Sequence, residues 1–275
     1  MPVTDPFIAD PERDVVIVEG PDATSFLQSL VSQDLDPVAV GENVPALLLQ
    51  PQGKLVADFQ AVRSGDDCWW LVTDRGYGSV LADGLNRFKI RVNATVGDAS
   101  GEFGAFVTNQ PVGATANCAR IATAVGTEVV GPVADVAAAR ALVDAPDVDA
   151  HAYDRLRIAA GVPRLGVDID ERTIPQEAGL EIDAVSFTKG CFLGQELVCR
   201  IDTRGHVNRY LRRLRPAAPG AVLPTGAVSV EGRAVGEITS TAGDVALAMV
   251  RREVEIGAMV QVGATDAVVE VLQPG

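Results

Sequence analysis

The pattern of apolar residues and turns changes near residue 209, and this change constrains the fold more than any other feature. Before it, predicted strands alternate with predicted helices such as 152–161, without the strict order of a parallel βαβ sheet. After it, short strands are separated by Gly-containing turns, as in a small closed barrel. We therefore predict three parts: an α+β body at 1–208, a nested subdomain within it at about 46–108, and a C-terminal β-barrel at 209–275.

The formal net charge of the chain is −14, which disfavours direct nucleic-acid binding because an acidic surface repels phosphate groups. Lysine is scarce, so the position of each of Lys54, Lys89 and Lys189 is informative. A local basic strip, the arginine strip, has one acid, Asp202, among its arginines. We expect an anionic ligand or partner there. The strip consists of Arg200, Arg204, Arg209, Arg212, Arg213 and Arg215.

The four cysteines, Cys68, Cys118, Cys191 and Cys199, include no C-x-x-C pair, and only two histidines accompany them. This composition predicts neither a zinc site nor a disulfide framework. No apolar run reaches the roughly 18–20 residues that a membrane helix needs. The N-terminus also lacks the basic and apolar regions of a secretory signal. We therefore expect no metal, no membrane association and a cytoplasmic location.

The most informative motif is KGCFLGQE at 189–196. Lys189 and Cys191 precede a predicted helix whose first turn contains Gln195 and Glu196. A lysine and a helix N-terminus both create positive potential, which favours the thiolate form of a nearby cysteine. The alternative is a buried structural cysteine, since free cysteines usually pack as small apolar groups. We expect Cys191 to lie at the rim of a central cavity, at least partly accessible, immediately before the helix that contains Gln195 and Glu196.

This motif resembles the K-G-C-[FY]-x-G-Q-E signature of the YgfZ-type folate-binding proteins, which belong to the glycine-cleavage T-protein-like superfamily and have mitochondrial relatives in iron–sulfur assembly. Other segments are similar to the family in the same order: VEGPDATSFLQSLVSQDL, LLLQPQGKLVADF, LRIAAGVPRLGVDIDERTIPQEAGL and VGEITSTAGDVALAMVRREVEIGAMVQV. The resemblance covers about residues 15–272. It implies a T-protein-like body with a nested ferredoxin-like subdomain, a small C-terminal barrel, and a central pocket for tetrahydrofolate or a derivative.

The resemblance assigns roles to residues in these segments. It implies that Asp58, in GKLVADF, lies beside the folate, and we name Cys191 and Asp58 as the candidate catalytic residues. Tyr153 would lie against the folate rings, where aromatic stacking is chemically reasonable. Arg157 follows one helical turn later and could pair with a folate carboxylate or with Asp154. The structural alternatives are a strand-edge aspartate facing water for Asp58 and a core aromatic for Tyr153.

One position departs from the family pattern. T-proteins carry in this helix a glutamate that pairs with the pterin, and the matching residue here is Ala159, which cannot accept the N–H groups of a pterin edge. Glu177, in the loop TIPQE, is the candidate for this role, with a solvent-exposed loop acid as the alternative. We expect four residues to converge on one cavity: Asp58, Tyr153, Arg157 and Glu177. The other candidate cofactor-binding residues are Lys189, Gln195 and Arg200.

Three functions remain open from the sequence. The first is a folate-binding accessory factor for the assembly or repair of iron–sulfur proteins, with indirect effects on tRNA modification; KGCFLGQE favours it. The second is a tetrahydrofolate-dependent aminomethyltransferase or demethylase, which Asp58 favours and which the short chain and Ala159 oppose. The third is an RNA- or protein-binding module that uses the arginine strip, and the net charge disfavours RNA. The expected partners are folate and iron–sulfur assembly or client proteins.

Overall fold

Two antiparallel sheets and a closed barrel form the framework of the chain. The structure is a computed structural model that describes residues 5–113 and 115–272. Helices cover the sheets and connect them to the barrel. The predicted α+β class with a C-terminal barrel is confirmed.

The first sheet contains β2 (Arg13–Glu19), β3 (Asn43–Leu49), β4 (Leu55–Gly65), β5 (Cys68–Asp74) and β6 (Thr95–Asp98), in the spatial order β3-β4-β5-β2-β6. Helices α1 (Ala23–Leu30) and α2 (Gly78–Asn86) contribute buried leucines to the main core. Side chains alternate along β4, so Ala57 and Phe59 are buried in this core while Asp58 projects from the opposite face. The alternation therefore directs Asp58 away from the main core.

The second sheet packs on that opposite face. It contains β1 (Ile8–Ala9), β7 (Phe103–Thr108), β8 (Ala119–Thr123) and β9 (Gly126–Pro132), in the order β1-β7-β9-β8. Between the sheets, Val15, Val62 and Val72 of the first pack with Ile121 and Val130 of the second. Helix α3 (Val133–Arg140) packs on the outer face of the second sheet. The layer between the sheets is therefore largely apolar, which makes the charged residues within it conspicuous.

The strands of the predicted nested subdomain do not form a sheet of their own. β2, which precedes this segment in the chain, lies between β5 and β6, and β7 belongs to the second sheet. These are pairings between strands far apart in the chain, and local sequence patterns do not encode them. The boundaries 46–108, like the boundary between 208 and 209, stay predictions of the sequence.

The body continues through α4 (Ala150–Ala160), a 3-10 helix at Pro175–Glu177, α5 (Glu181–Ala184) and α6 (Gln195–Arg204). Helix α4 begins after Asp149, whose side chain accepts the backbone N–H of Ala152. It ends at Gly161, whose φ of 76° lies in the left-handed region that glycine adopts without strain. Within the described residues, no helix is long and apolar enough to cross a membrane.

The C-terminal barrel contains β10 (Arg209–Pro216), β11 (Ala227–Val230), β12 (Arg233–Ala242), β13 (Val245–Arg251), β14 (Met259–Val262) and β15 (Thr265–Glu270). These strands close in the order β10-β13-β12-β11-β14-β15. Leu214 and Ala248 belong to the core inside the barrel, whereas Leu211 and Leu247 join the main core of the body. Because side chains alternate along a strand, one face of these strands fills the barrel interior and the other packs the barrel against the body.

A buried ion pair also joins the body to the barrel. The Arg157 guanidinium, on α4, donates to Asp168 Oδ2 at 2.8 Å and to Ser240 Oγ of β12 at 3.0 Å. Asp168 Oδ1 accepts the Thr239 hydroxyl at 2.5 Å. Arg157 and Asp168 are each 4% exposed. The loss of Arg157 would leave the Asp168 charge buried and uncompensated, and the loss of Asp168 would leave Arg157 with only the half-buried Asp154 as an ion partner.

We expect Asp168→Ala to lower the free energy of unfolding by about 3 kcal/mol, because Arg157 then stays buried with only the half-buried Asp154 as its ion partner. The matched control is Asp244→Ala, which removes an exposed partner of Arg155, 2.7 Å away, between the same helix and the barrel. That exposed pair should contribute less than about 1 kcal/mol. Urea denaturation measures both losses, and equal losses would show that burial does not set the cost.

Candidate functional site

Four charged side chains meet between the two sheets, and we call them the Arg13 cluster: Arg13, Asp58, Asp74 and Glu128. Arg13 of β2 donates to Glu128 of β9 through Nε at 2.9 Å and Nη2 at 3.0 Å. Its Nη1 donates to Asp74, the register partner of Arg13 on β5. The second oxygen of Asp74 accepts the backbone N–H of Leu165 at 2.7 Å. One guanidinium therefore bridges strands of both sheets.

The alternation of β2 explains why Arg13 lies in this layer. Arg13 shares its strand face with Val15, which packs between the sheets. Its partner Glu128 is 115 residues away in the chain, so no local spacing predicts the pair. The available signal is an arginine in phase with the apolar residues of a predicted strand. Three members of the cluster were not predicted from the sequence: Arg13, Asp74 and Glu128.

Asp58 is the member of the cluster that has an unsatisfied oxygen. The residue is half-buried, and its Oδ1 is buried with no hydrogen-bond partner in the described part of the chain. Burial, and secondarily the charge of Asp74, raises the pKa of the Asp58 carboxyl to about 7, although Arg13 acts in the opposite direction. A buried acceptor without a donor is unfavourable. Asp58 therefore has the properties of a group that faces a ligand or exchanges a proton.

Tyr153 reaches the same cluster from α4. It is 5% exposed and packs with Phe7 in a small apolar core. Burial raises the pKa of Tyr153 to about 12, and the nearby Arg13 opposes this effect. The structure thus brings Asp58 and Tyr153, both predicted from the sequence, to one charged cluster.

Arg157 and Glu177 are each held in separate ion pairs. Besides its bonds to the barrel junction, Arg157 donates to Asp154 at 2.6 Å, one of the partners that the sequence left open. Glu177 accepts two bonds from Arg209, at 2.9 and 3.1 Å, and the backbone N–H of Ile174 at 3.1 Å. Glu177 is 6% exposed, so it is not the exposed loop acid considered above.

These contacts do not support the predicted convergence of four residues on one cavity. Glu177 accepts three hydrogen bonds from Arg209 and Ile174, so its carboxylate is engaged within the protein, and its role towards a pterin stays a prediction. The carbonyl oxygen of Ala159 accepts Arg213 Nη1 at 2.6 Å and is likewise occupied. Two surface clefts, of about 460 and 610 Å³, are lined by other residues. Only Asp58 and Tyr153, of the four, share the Arg13 cluster in these contacts.

Lys189 binds the end of α1, which the sequence analysis did not foresee. Its ammonium donates to the backbone oxygens of Gln28, Val31 and Gln33 at 2.8, 2.9 and 2.8 Å. These carbonyls lie at and beyond the last turn of the helix, where unpaired C=O groups attract cations. An ammonium has three N–H donors. The arrangement therefore gives Lys189 a structural role and does not support the predicted contact with a cofactor.

Cys191 is exposed, as the sequence predicts. It lies between two anchors, because Lys189 is fixed on α1 and Phe192 is buried in the main core. Helix α6 begins at Gln195, so three residues separate the thiol from the helix. The location of Cys191 at the rim of a central cavity stays a prediction. The thiolate character expected for Cys191 stays a prediction, and so does a ligand contact from Gln195, which is half-buried.

The second glycine of KGCFLGQE explains how this segment packs. Gly194 has a φ of 79°, and a Cβ there would lie 2.5 Å from the carbonyl oxygen of Gln50. Gly53, in the turn between β3 and β4, approaches α6 so closely that a Cβ would lie 2.9 Å from Leu197 Cβ. Glycine alone fits such close approaches without strain. Two motifs that the sequence presents separately, KGCFLGQE and LLLQPQGK, therefore pack against each other.

The arginine strip is largely paired. Besides the pair at Arg209, Arg213 and Arg215 donate to Glu270 at 2.8 and 3.2 Å. Arg200 is exposed on α6 and stays a candidate ligand contact, and the side chain of Arg204 lies outside the described residues. Much of the strip therefore serves the barrel and its junction with the body.

We expect the stability of the protein to fall as the pH rises from about 4 to about 7, because the folded state holds the Asp58 proton more tightly than the unfolded chain does. The contribution is fully present below the pKa of an unfolded aspartate and is lost as the pH passes the folded pKa. Asp58→Asn removes this titration, so the variant should gain at most about 4 kcal/mol relative to the parent over this range. Urea denaturation at several pH values measures the gain, and a pH-independent difference would contradict the raised pKa.

Residues 212–275 match the family model described as "CAF17, C-terminal beta-barrel domain". The chain is 29% identical over 230 residues to the "Iron-sulfur cluster assembly factor IBA57 homolog, mitochondrial" of Mycosarcoma maydis, covering 73% of this chain and 55% of that protein. It is 28% identical over 253 residues to the "tRNA-modifying protein YgfZ" of Vibrio vulnificus (strain YJ016), covering 84% of this chain and 75% of that protein. The match thus spans little more than half the length of the first relative.

The fold is similar to that of the glycine cleavage system aminomethyltransferase T from Bartonella henselae, with a TM-score of 0.81 and 21% identity, covering 97% of this chain and 85% of that one. At this identity the likeness shows the fold alone. The relatives and the barrel match agree with the segments quoted from the sequence. The chain is thus similar to YgfZ-type proteins and to their mitochondrial relatives, and it has the fold of a glycine-cleavage T-protein.

Proposed function

We propose that the protein is a folate-binding accessory factor that supports the assembly or repair of iron–sulfur proteins. The observation that carries the proposal is the exposed thiol of Cys191, on a segment fixed by Lys189 and Phe192. A fixed, exposed thiol can approach a metal centre or a disulfide on another protein, because thiolates are soft metal ligands and nucleophiles. The name of a relative, an iron–sulfur cluster assembly factor, supports the same role.

The surface around Cys191 favours a protein partner. The side chain of Gln33 donates to the carbonyl oxygen of Asp183, and the backbone oxygen of Gln33 accepts a hydrogen bond from Lys189. Gln33 therefore holds both ends of the segment 183–189, which precedes the thiol. In this segment Ile182 and Phe187 are 61% and 39% exposed. Exposed apolar side chains are typical of contact surfaces. The proposed partners are therefore iron–sulfur assembly or client proteins.

Asp58 is the residue that best fits a bound folate. Its buried Oδ1 requires a donor, and a reduced pterin carries N–H groups. Tyr153 adds an aromatic ring at the same cluster, and Gln195 and Arg200 are the other proposed contacts. The proposed cofactor is tetrahydrofolate or a derivative, which supplies one-carbon chemistry when bound. Because Ala159 offers no carboxylate, Asp58 is the residue that recognises the ring N–H groups.

A second candidate function is a tetrahydrofolate-dependent aminomethyltransferase or demethylase. The observation that favours it is the Asp58 carboxyl, whose pKa of about 7 suits proton transfer at neutral pH. Effects on tRNA modification are proposed to be indirect, because Arg209, Arg213 and Arg215 of the arginine strip are paired with acids. The cytoplasmic location stays a prediction.

Exchange of Cys191 for alanine should abolish the rescue of an iron–sulfur enzyme in cells that lack the native protein, because the accessory role needs the thiol. The matched control is Cys199→Ala, which removes a half-buried thiol of α6 and should leave the rescue intact. Asp58→Ala separates the candidate functions. If Asp58→Ala abolishes the rescue and Cys191→Ala does not, the folate-dependent transferase is the better account.

Tetrahydrofolate and 5-formyl-tetrahydrofolate should both change the intrinsic fluorescence of the protein in a saturable titration. Asp58→Ala should weaken binding by about tenfold or more, the usual effect of losing a hydrogen bond to a charged group. Asp67→Ala, an exposed acid in the turn between β4 and β5, is the control and should bind like the parent. Absence of binding to the parent protein would rule out folate as the cofactor.

A further inference from the structure

The carboxylates of the Arg13 cluster outnumber its cations. Asp58, Asp74 and Glu128 share one guanidinium, that of Arg13, and the latter two acids already accept its hydrogen bonds. With every acid ionised, three negative charges would face one positive charge in a layer that is otherwise apolar. Such an excess of one sign is unfavourable at low dielectric.

The neighbouring titratable groups do not correct this imbalance within the described residues. Burial, with the surrounding acids, raises the pKa values of Tyr153 and Tyr77, so both hydroxyls are neutral at physiological pH. The charge of Arg164 lowers the pKa of Tyr153, but Arg164 is already paired with Asp154 at 3.2 Å. Two more acids, Asp170 and Glu171, lie in the loop before the 3-10 helix, and their charges raise the pKa of Tyr77.

Asp58 Oδ1 faces this negative charge without a donor from the described residues. Ionisation of Asp58 is therefore unfavourable until a cation approaches, and the protonated carboxyl still leaves Oδ1 without a hydrogen bond. A positively charged ligand removes both costs, because it balances the charge and displaces the proton. An uncharged ligand of similar shape can at best donate to Oδ1.

We propose that the site around Asp58 Oδ1 selects positively charged folates, and takes the cationic 5,10-methenyl form of tetrahydrofolate in preference to the 5-formyl form, whose ring system is uncharged. Both forms carry the same glutamate carboxylates. This inference rests on the proposed folate binding and specifies the one-carbon form. On binding, the Asp58 carboxyl gives its proton to water, and the carboxylate pairs with the ligand cation. No covalent bond of the ligand forms or breaks.

Isothermal titration calorimetry at about pH 6, in two buffers of different ionisation enthalpy, measures the affinity and the number of protons released. The parent protein should bind the 5,10-methenyl form roughly tenfold more tightly than the 5-formyl form, or better, as expected for one added charge interaction. Binding of the cationic form should release about one proton per ligand, because Asp58 is mostly protonated at this pH. The 5-formyl form should release almost none.

The variant Asp58→Asn keeps the shape of the side chain and removes its charge and its proton. It should lose both the preference and the proton release. Asp67→Asn removes the same charge at the far end of β4, in its turn with β5. This control should keep both effects, so it separates a local ion pair from the total charge of the protein.

Equal affinities for the two folates, or binding of the cationic form without proton release, would overturn the inference and leave the proposed folate binding intact. Loss of the preference in Asp67→Asn as well would also overturn it, because the effect would then follow total charge. If neither folate binds, the proposed cofactor is wrong and the inference falls with it. A carbon NMR titration of the ligand-free protein checks independently that the Asp58 carboxyl is protonated at about pH 6.

Discussion

The two-sheet body depends on the Arg13 guanidinium. It binds Glu128 of one sheet through two hydrogen bonds and Asp74 of the other through a third. A buried charge without a partner costs several kcal/mol, so these side chains are stable only when β2, β5 and β9 meet in this register. The same arrangement leaves Asp58 without a cation. The unpaired carboxyl of the candidate site is therefore a consequence of how the two sheets are joined.

The scarcity of lysine is consistent with the bonds that hold the barrel to the body. Arg209 forms two nearly parallel bonds with Glu177, and Arg157 bonds an acid and a hydroxyl at once. The planar fork of a guanidinium suits such sites, whereas an ammonium is a compact point charge. Lys189 occupies a different kind of site, in which three carbonyl oxygens surround one ammonium. Guanidinium groups thus occupy the planar, paired sites, and the ammonium group occupies the site enclosed by carbonyl oxygens.

Patterns of short range predicted much of this fold. The helix predicted at 152–161 is observed at Ala150–Ala160, because its periodicity and the glycine that ends it are both local signals. The barrel was likewise visible as short strands with Gly turns. The insertion of β2 between β5 and β6 was not visible, because hydrogen bonds between distant strands carry no local spacing. The pair of Arg13 and Glu128, and the binding of Lys189 to α1, were missed for the same reason.

One strand ties the interior carboxyl to the exposed thiol. The turn before β4 contains Gly53, which meets Gly194 of the KGCFLGQE motif, and Asp58 lies on the same strand about 10 Å beyond its first residue, Leu55. The side chain of Gln50 donates to the carbonyl oxygen of Leu55 at 3.0 Å, which holds this turn against the strand. The glycines of the two motifs therefore act through close backbone packing and not through chemistry of their own. They fix the segment that carries Cys191 to the strand that carries Asp58, so the interior carboxyl and the exposed thiol keep a defined relative position.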